Sequence, residues 1–203
     1  MTRGKFVVLE GGDGSGKSTQ VARLAESLRA SGLAVHETFE PGAGATGAVI
    51  RDLLLHGPEV IAPVAEALLM AADRAQHVAA EIAPALDRGA WVVCDRYVPS
   101  SLVYQGVVRA LGVDLVEQLS AVATGGLEPD LVIVLDVSDE VAATRRDTET
   151  DRLEREGDQF HVDVRRAYRD LAATRRWVVV DADGPVDDVA DAVRAAVDPL
   201  LAG

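Results

Sequence analysis

The chain of 203 residues carries 20 Lys and Arg against 33 Asp and Glu, a formal net charge of −13 at pH 7. That balance argues against non-specific nucleic-acid binding, which needs a basic surface to neutralise phosphates, so any anionic ligand must be held by a local cluster of positive groups. Hydrophobic residues make up 48% of the chain but aromatic residues only 4%, so Val, Ala and Leu must build the core, and no apolar run approaches the length of a membrane span.

The first residues lead directly into a short apolar strand, too soon for a signal peptide, and a cytoplasmic enzyme is the expectation. Lys5–Glu10 reads as that strand, followed by a Gly-rich loop. From Ser18 to about Arg29, apolar Val21, Leu24, Ala25 and Leu28 recur at helical spacing, and Ser31-Gly32 ends the helix. A second strand covers Ala34–Phe39, Glu40–Ala45 is loop, and Thr46 to about Leu55 is helical. A long Ala-rich helix spans Val60–Leu86, punctuated by Pro63 and Pro84. Trp91–Asp95 is an apolar strand ending in an acid, a plan repeated at Leu131–Asp136 and at Trp177–Asp181. Helices are expected around Asp114–Ala123, Glu140–Arg146, Phe160–Arg175 and Val186–Leu200. The lone Cys94 lies inside an apolar run and reads as a buried small hydrophobe rather than a nucleophile.

Strands too apolar to face water on either side, alternating with helices, predict a parallel sheet covered on both faces. Right-handed crossovers then give a doubly wound α/β fold with about five strands, in one domain over residues 1–203. Ligands in such a fold bind outside the carboxyl ends of the strands, where Glu10, Phe39, Asp95, Asp136 and Asp181 stand.

The spacing Gly11, four residues, Gly16-Lys17-Ser18 satisfies the Walker A pattern in its required context, strand before and helix after. Successive backbone N–H groups and the helix N-terminus make a concave anion site over Gly11, Gly12, Asp13, Gly14, Ser15, Gly16, Lys17, Ser18 and Thr19. Lys17 supplies a point charge for the β- and γ-phosphates of ATP, and the Ser18 hydroxyl is the expected Mg²⁺ ligand. The loop alone defines a nucleotide binder; no Asn-Lys-x-Asp segment of a GTPase is present. Asp95 at the mouth of its strand can hold Mg²⁺ through water, while Arg96 presents a planar fork suited to a phosphate. Alternatively the two cap a helix or pair with each other.

Five stretches together resemble the thymidylate kinase (dTMP kinase) family over almost the whole chain. They are the phosphate loop Glu10–Gln20; Glu40-Pro-Gly followed by Ile50-Arg51; the long-helix segment Leu69–Val78; Asp95-Arg-Tyr through Gly106, the most discriminating; and Pro129–Val137 with Asp151–Glu154. The resemblance implies a P-loop nucleoside monophosphate kinase-like domain that uses Mg-ATP to phosphorylate dTMP, and a homodimer formed through helix packing. It implies that Arg96 and Arg51 bind the dTMP phosphate and that Arg74 hydrogen-bonds a thymine carbonyl. Ser101 and Gln105 would read the rest of the base edge. Tyr104 would lie against the deoxyribose, Asp13 near the sugar 3′-hydroxyl or the metal, and Glu40 along the acceptor pocket. Met70 occupies the place of an aromatic ring that often stacks on thymine, Phe39 that of an Arg, and Ala43 that of a Gly. Read singly, Arg74 is equally a solvated helix charge, Tyr104 a core residue, and Ser100 and Ser101 a helix cap.

Relatives of this type carry Gly at the Gly14 position and compensate with arginines in a lid. The lid is expected between Glu140 and Glu156, with its short arginine-bearing part at about 145–156. Arg145, Arg146 and Arg152 are available there, and Arg146 or Arg152 is expected to deliver the catalytic charge beside Lys17, Arg96 and Asp95. The competing reading is an ordinary solvated charged loop.

Overall fold

The computed structural model describes residues 3–57, 60–145 and 157–201. Within them, five strands form one parallel sheet: β1 (Phe6–Glu10), β2 (Val35–Phe39), β3 (Trp91–Asp95), β4 (Leu131–Asp136) and β5 (Val178–Asp181), ordered β2-β3-β1-β4-β5.

Strand side chains alternate faces, and here both faces are dry. Val7, Leu9, Val93, Ile133 and Leu135 point to one side, where they meet Leu24 and Leu28 of α1 (Lys17–Ala30) and Val189, Val193 and Val197 of α9 (Val186–Leu201). On the other face, Phe6, Val8, Val92 and Cys94 pack with Ile82, Leu86 and Tyr97. Val132 and Val134 pack with Val103 and with Val164 and Tyr168 of α8 (Asp158–Thr174). The expectation of strands buried on both sides holds for β1, β3 and β4. β2 and β5 are edge strands with several exposed positions, Phe39 among them.

The long helix is continuous. It runs as α3 (Pro63–His77), a π-helical stretch over Val78–Ile82, and α4 (Ala83–Asp87). Pro63 starts it, where its missing N–H is no loss. Pro84 would clash with the carbonyl of Ala80, and the widened turn lies over that residue, so the helix passes Pro84 instead of ending. α2 (Gly44–His56), α6 (Val113–Thr124) and α7 (Asp139–Arg145) fall within two or so residues of expectation.

One element was not anticipated. Residues 98–108 form a short helix α5 (Val98–Ser101) that widens into a second π stretch, Leu102–Val108. Its early Pro99 and its β-branched valines suppress the usual helical signal. The helix starts after Tyr97, so neither Ser100 nor Ser101 is its cap.

Candidate active site

The carboxyl ends of β1, β2 and β3 open into one cleft of about 890 Å³. β1 feeds the Gly-rich loop, in which Gly11, Gly14 and Gly16 all take positive φ. Gly14 requires its hydrogen: a Cβ there would stand 2.7 Å from the Ala142 carbonyl oxygen of α7. Residues 13–19 line the cleft, whereas Gly11 and Gly12 lie beneath it as the loop's buried base. The Lys17 ammonium donates to the Gly12 carbonyl at 2.9 Å. Burial and the nearby Arg96 guanidinium lower its pKa.

At the mouth of β3 the two neighbouring charges part. Ser18 Oγ donates to Asp95 Oδ2 at 2.7 Å, joining the two expected metal ligands. Arg96 turns the other way, donating to Asp13 Oδ1 at 2.5 Å and to Gly11 O and Ser100 Oγ at 3.2 Å each. The alternative in which Asp95 and Arg96 pair with each other is therefore not the one adopted. Arg96 holds a φ of 70°, a conformation that non-glycine residues enter at a cost and that recurs at functional sites. Burial raises the Asp13 pKa, but the charges of Arg96, Lys17 and His161 outweigh it and hold the carboxyl below its ordinary value. The Tyr104 hydroxyl donates to Asp13 Oδ2 at 3.4 Å, and Arg96 stacks over the Tyr104 ring at 5.3 Å. Tyr104 thus both joins the core and lines the cleft.

Beneath this cluster Glu10 is fully buried. Its carboxylate accepts from the backbone N–H of Tyr97 and Ser100 and from the hydroxyls of Ser100 and Tyr168, at 2.7–3.2 Å. Burial raises its pKa against the hydrogen bonds and the Arg96 charge that favour the anion.

The wall opposite is carried by α3. Arg74 is 3% exposed, so it is not a solvated helix charge. Its Nε donates to Glu40 Oε2 at 2.8 Å and its Nη2 to the Tyr97 carbonyl at 3.1 Å. The other Glu40 oxygen accepts from His77 Nδ1 at 2.9 Å, and His77 Nε2 meets Thr38 Oγ1 at 2.7 Å. Glu40 lines the cleft, yet both its oxygens are engaged in holding the wall. Arg51 donates to the Pro41 carbonyl at 2.7 Å and lies over the Phe39 ring at 5.8 Å, so Phe39 serves as its platform. Met70, Ser101 and Gln105 also line the cleft. Gln105 Nε2 donates to the buried Glu66 at 2.8 Å.

Sequence reasoning did not assign site-building tasks to Glu66, His77, His161 or Tyr168. A buried acid or histidine on a helix resembles a solvated one in sequence, and only packing distinguishes them. Arg145, at the end of α7, also lines the cleft; its guanidinium is tied to the Ala182, Asp183 and Gly184 carbonyls. Arg146 and Arg152 lie outside the described residues.

A phosphate loop at the end of the central strand, an acid bonded to its serine, and a second polar pocket across the same cleft define a P-loop phosphotransferase of the nucleoside monophosphate kinase fold. The comparisons narrow the class. The thymidylate kinase family profile matches residues 9–193. A thymidylate kinase of Leifsonia xyli is 50% identical over 199 residues, covering 96% of this chain and 95% of the relative. Those of Clavibacter michiganensis, at 48% over 204 residues, and of a Synechococcus strain, at 47% over 203, cover 96% or more of both chains. The chain belongs to the thymidylate kinase family and is an enzyme of that type.

Proposed function

We propose that the enzyme phosphorylates dTMP to dTDP with Mg-ATP, by in-line attack of the acceptor phosphate on the γ-phosphorus. The observation that carries this reading is the union, in one cleft, of the phosphate loop with a buried polar wall of Arg74, Ser101, Tyr104 and Gln105. ATP phosphates belong on the loop amides and Lys17. The joined Ser18 and Asp95 oxygens suit Mg²⁺, a hard cation that keeps waters and phosphate oxygens as its other ligands; bound there, it would neutralise charge on the β- and γ-phosphates. Among the described residues no cluster of three or more His, Cys, Asp or Glu offers an all-protein metal site.

Arg96 and Arg51 are assigned to the acceptor phosphate and Arg74 to a base carbonyl. Asp13 stands with Arg96 and Tyr104 rather than beside Ser18, which favours the sugar hydroxyl over the metal as its task. The acceptor phosphate is anionic at neutral pH, so the chain needs no general base; positioning and charge neutralisation do the work. The segment 145–156 is assigned to a lid closing over ATP, with Arg146 or Arg152 supplying charge that Gly14 cannot.

The working form is proposed to be a cytoplasmic homodimer. No described helix is long and apolar enough to cross a membrane. Val49 and Leu53 of α2, Val64 and Leu68 of α3, and Leu115 and Val122 of α6 are exposed, and α3 packs against both α2 and α6. Exposed apolar residues on helices packed side by side favour a self-complementary contact.

The test is an acceptor panel of dTMP, dUMP, dCMP, UMP and thymidine in a coupled ADP-release assay. dTMP is expected to be the preferred acceptor; stronger turnover of dCMP, UMP or thymidine would overturn the substrate assignment. Lys17→Ala should abolish turnover while leaving the unfolding transition intact, and near-normal activity in that variant would sink the phosphate-loop assignment.

A further inference from the structure

We infer that Glu66 selects the base, by fixing which edge of the Gln105 side chain faces the cleft. The inference rests on the dTMP-pocket reading above and deepens it. Glu66 sits in the first turn of α3 with 0% exposure, and Gln105 sits in the second π stretch with 1% exposure. A primary amide has two different ends, one donating and one accepting, and nothing in its shape distinguishes them. A carboxylate only accepts. Glu66 Oε1, 2.8 Å from Gln105 Nε2, therefore commands the donor end of the amide. The acceptor end, Oε1, takes no hydrogen bond from any described residue, and Gln105 lines the cleft. Arg109 braces the arrangement from behind, with its Nε 3.5 Å from the same Glu66 oxygen and its guanidinium 5.3 Å over the Phe160 ring.

The chemical consequence concerns the base's N3 position. A thymine or uracil ring carries N3–H, a donor, which the presented oxygen accepts. A cytosine ring carries a bare N3 acceptor, which the same oxygen repels while the amide's donor end stays tied to Glu66. Discrimination arises because the wrong base leaves buried polar groups facing their own kind. Glu66 touches no substrate; it is a positioning residue, and the ring methyl that separates dTMP from dUMP lies outside its reach.

The experiment compares kcat/KM for dTMP, dUMP and dCMP in the wild type, in Glu66→Gln, and in the double variant Glu66→Gln with Gln105→Glu. A glutamine at 66 can face either end of Gln105, freeing that amide to turn. Glu66→Gln is expected to raise the KM for dTMP and dUMP about ten-fold, the worth of one neutral hydrogen bond. It should leave the ATP KM unchanged and shrink the dTMP-over-dCMP preference at least as much. The double variant exchanges the two groups: the new amide donates to one carboxylate oxygen and the other faces the cleft, so the preference should return to within about three-fold of wild type, the scatter of such contacts. Undiminished preference in Glu66→Gln overturns the inference, as does a folded double variant that fails to regain it. Should Glu66→Gln not fold, the double variant decides alone. A wild type without preference for dTMP and dUMP over dCMP defeats the pocket reading itself, a result visible before any variant is made.

Discussion

Asp73 shows how a single buried acid ties stability to pH. It is 1% exposed, its Oδ1 accepts from the Gly42 N–H at 3.0 Å, and its Oδ2 has no hydrogen-bond partner. Burial, reinforced by the neighbouring Glu40 charge, lifts its pKa from 3.8 to about 6. In the folded state the carboxyl holds its proton to higher pH than in the unfolded chain. Its contribution is therefore most favourable below the unfolded pKa and is lost as pH rises through about 6. Asp73→Asn keeps an acceptor for Gly42 and removes the titration. Its stability relative to wild type should rise by up to about 3 kcal/mol between pH 4 and pH 7.5 in urea unfolding; a difference that stays flat across that range would refute the assignment. Arg74 behaves differently because it is half of a buried pair. Arg74→Ala leaves Glu40 with His77 as its remaining side-chain partner, so beyond raising the dTMP KM far more than the ATP KM it should cost about 3–5 kcal/mol of stability. An effect on the ATP KM alone would mean the base pocket lies elsewhere.

Among the elements, the two π stretches matter most to the site. One carries the long helix past Pro84, and the other brings the adjacent residues Tyr104 and Gln105 both to the cleft. The packing of α2 against the Glu-Pro-Gly turn is equally exacting. A Cβ on Gly47 would stand 2.7 Å from Asp73 Oδ1 and 2.9 Å from the Gly42 carbonyl carbon. Gly47→Ala gains roughly 1 kcal/mol of helix propensity, yet it must push aside backbone and a buried acid, which costs about 1–3 kcal/mol. The net expectation is lower stability and a raised acceptor KM with the ATP KM unmoved. A variant more stable than wild type with unchanged acceptor kinetics would show that the turn yields freely.

For the molecule as a whole, the exposed apolar residues of α2, α3 and α6 bear on assembly, whereas the net charge of −13 bears on solubility. Leu68 is half exposed on α3. Leu68→Glu should convert the proposed dimer to monomer in sedimentation velocity, because assembly would then bury an unpaired carboxylate in an apolar contact. A wild type that sediments as a monomer at tens of micromolar would remove the basis for that assembly. Within this acidic chain the cations of the site act locally: Lys17, Arg74 and Arg96 are each held by named protein acceptors rather than by a broad basic field.

The sequence by itself determined the class of the protein. The phosphate loop, the apolar strands ending in acids and the alternation with helices are local patterns, written in residues a few positions apart, and they foretold the sheet and the cleft's floor. They could not tell a buried charge from a solvated one, nor which partner each charge would take. Those choices were made only in the tertiary structure. Asp95 meets Ser18 77 positions away, Arg96 meets Asp13 83 positions away, and Gln105 meets Glu66 39 positions away. Each pairing depends on crossovers that bring distant strand ends and helix faces together, where exclusion of water makes an unpartnered polar group costly and so selects the partner.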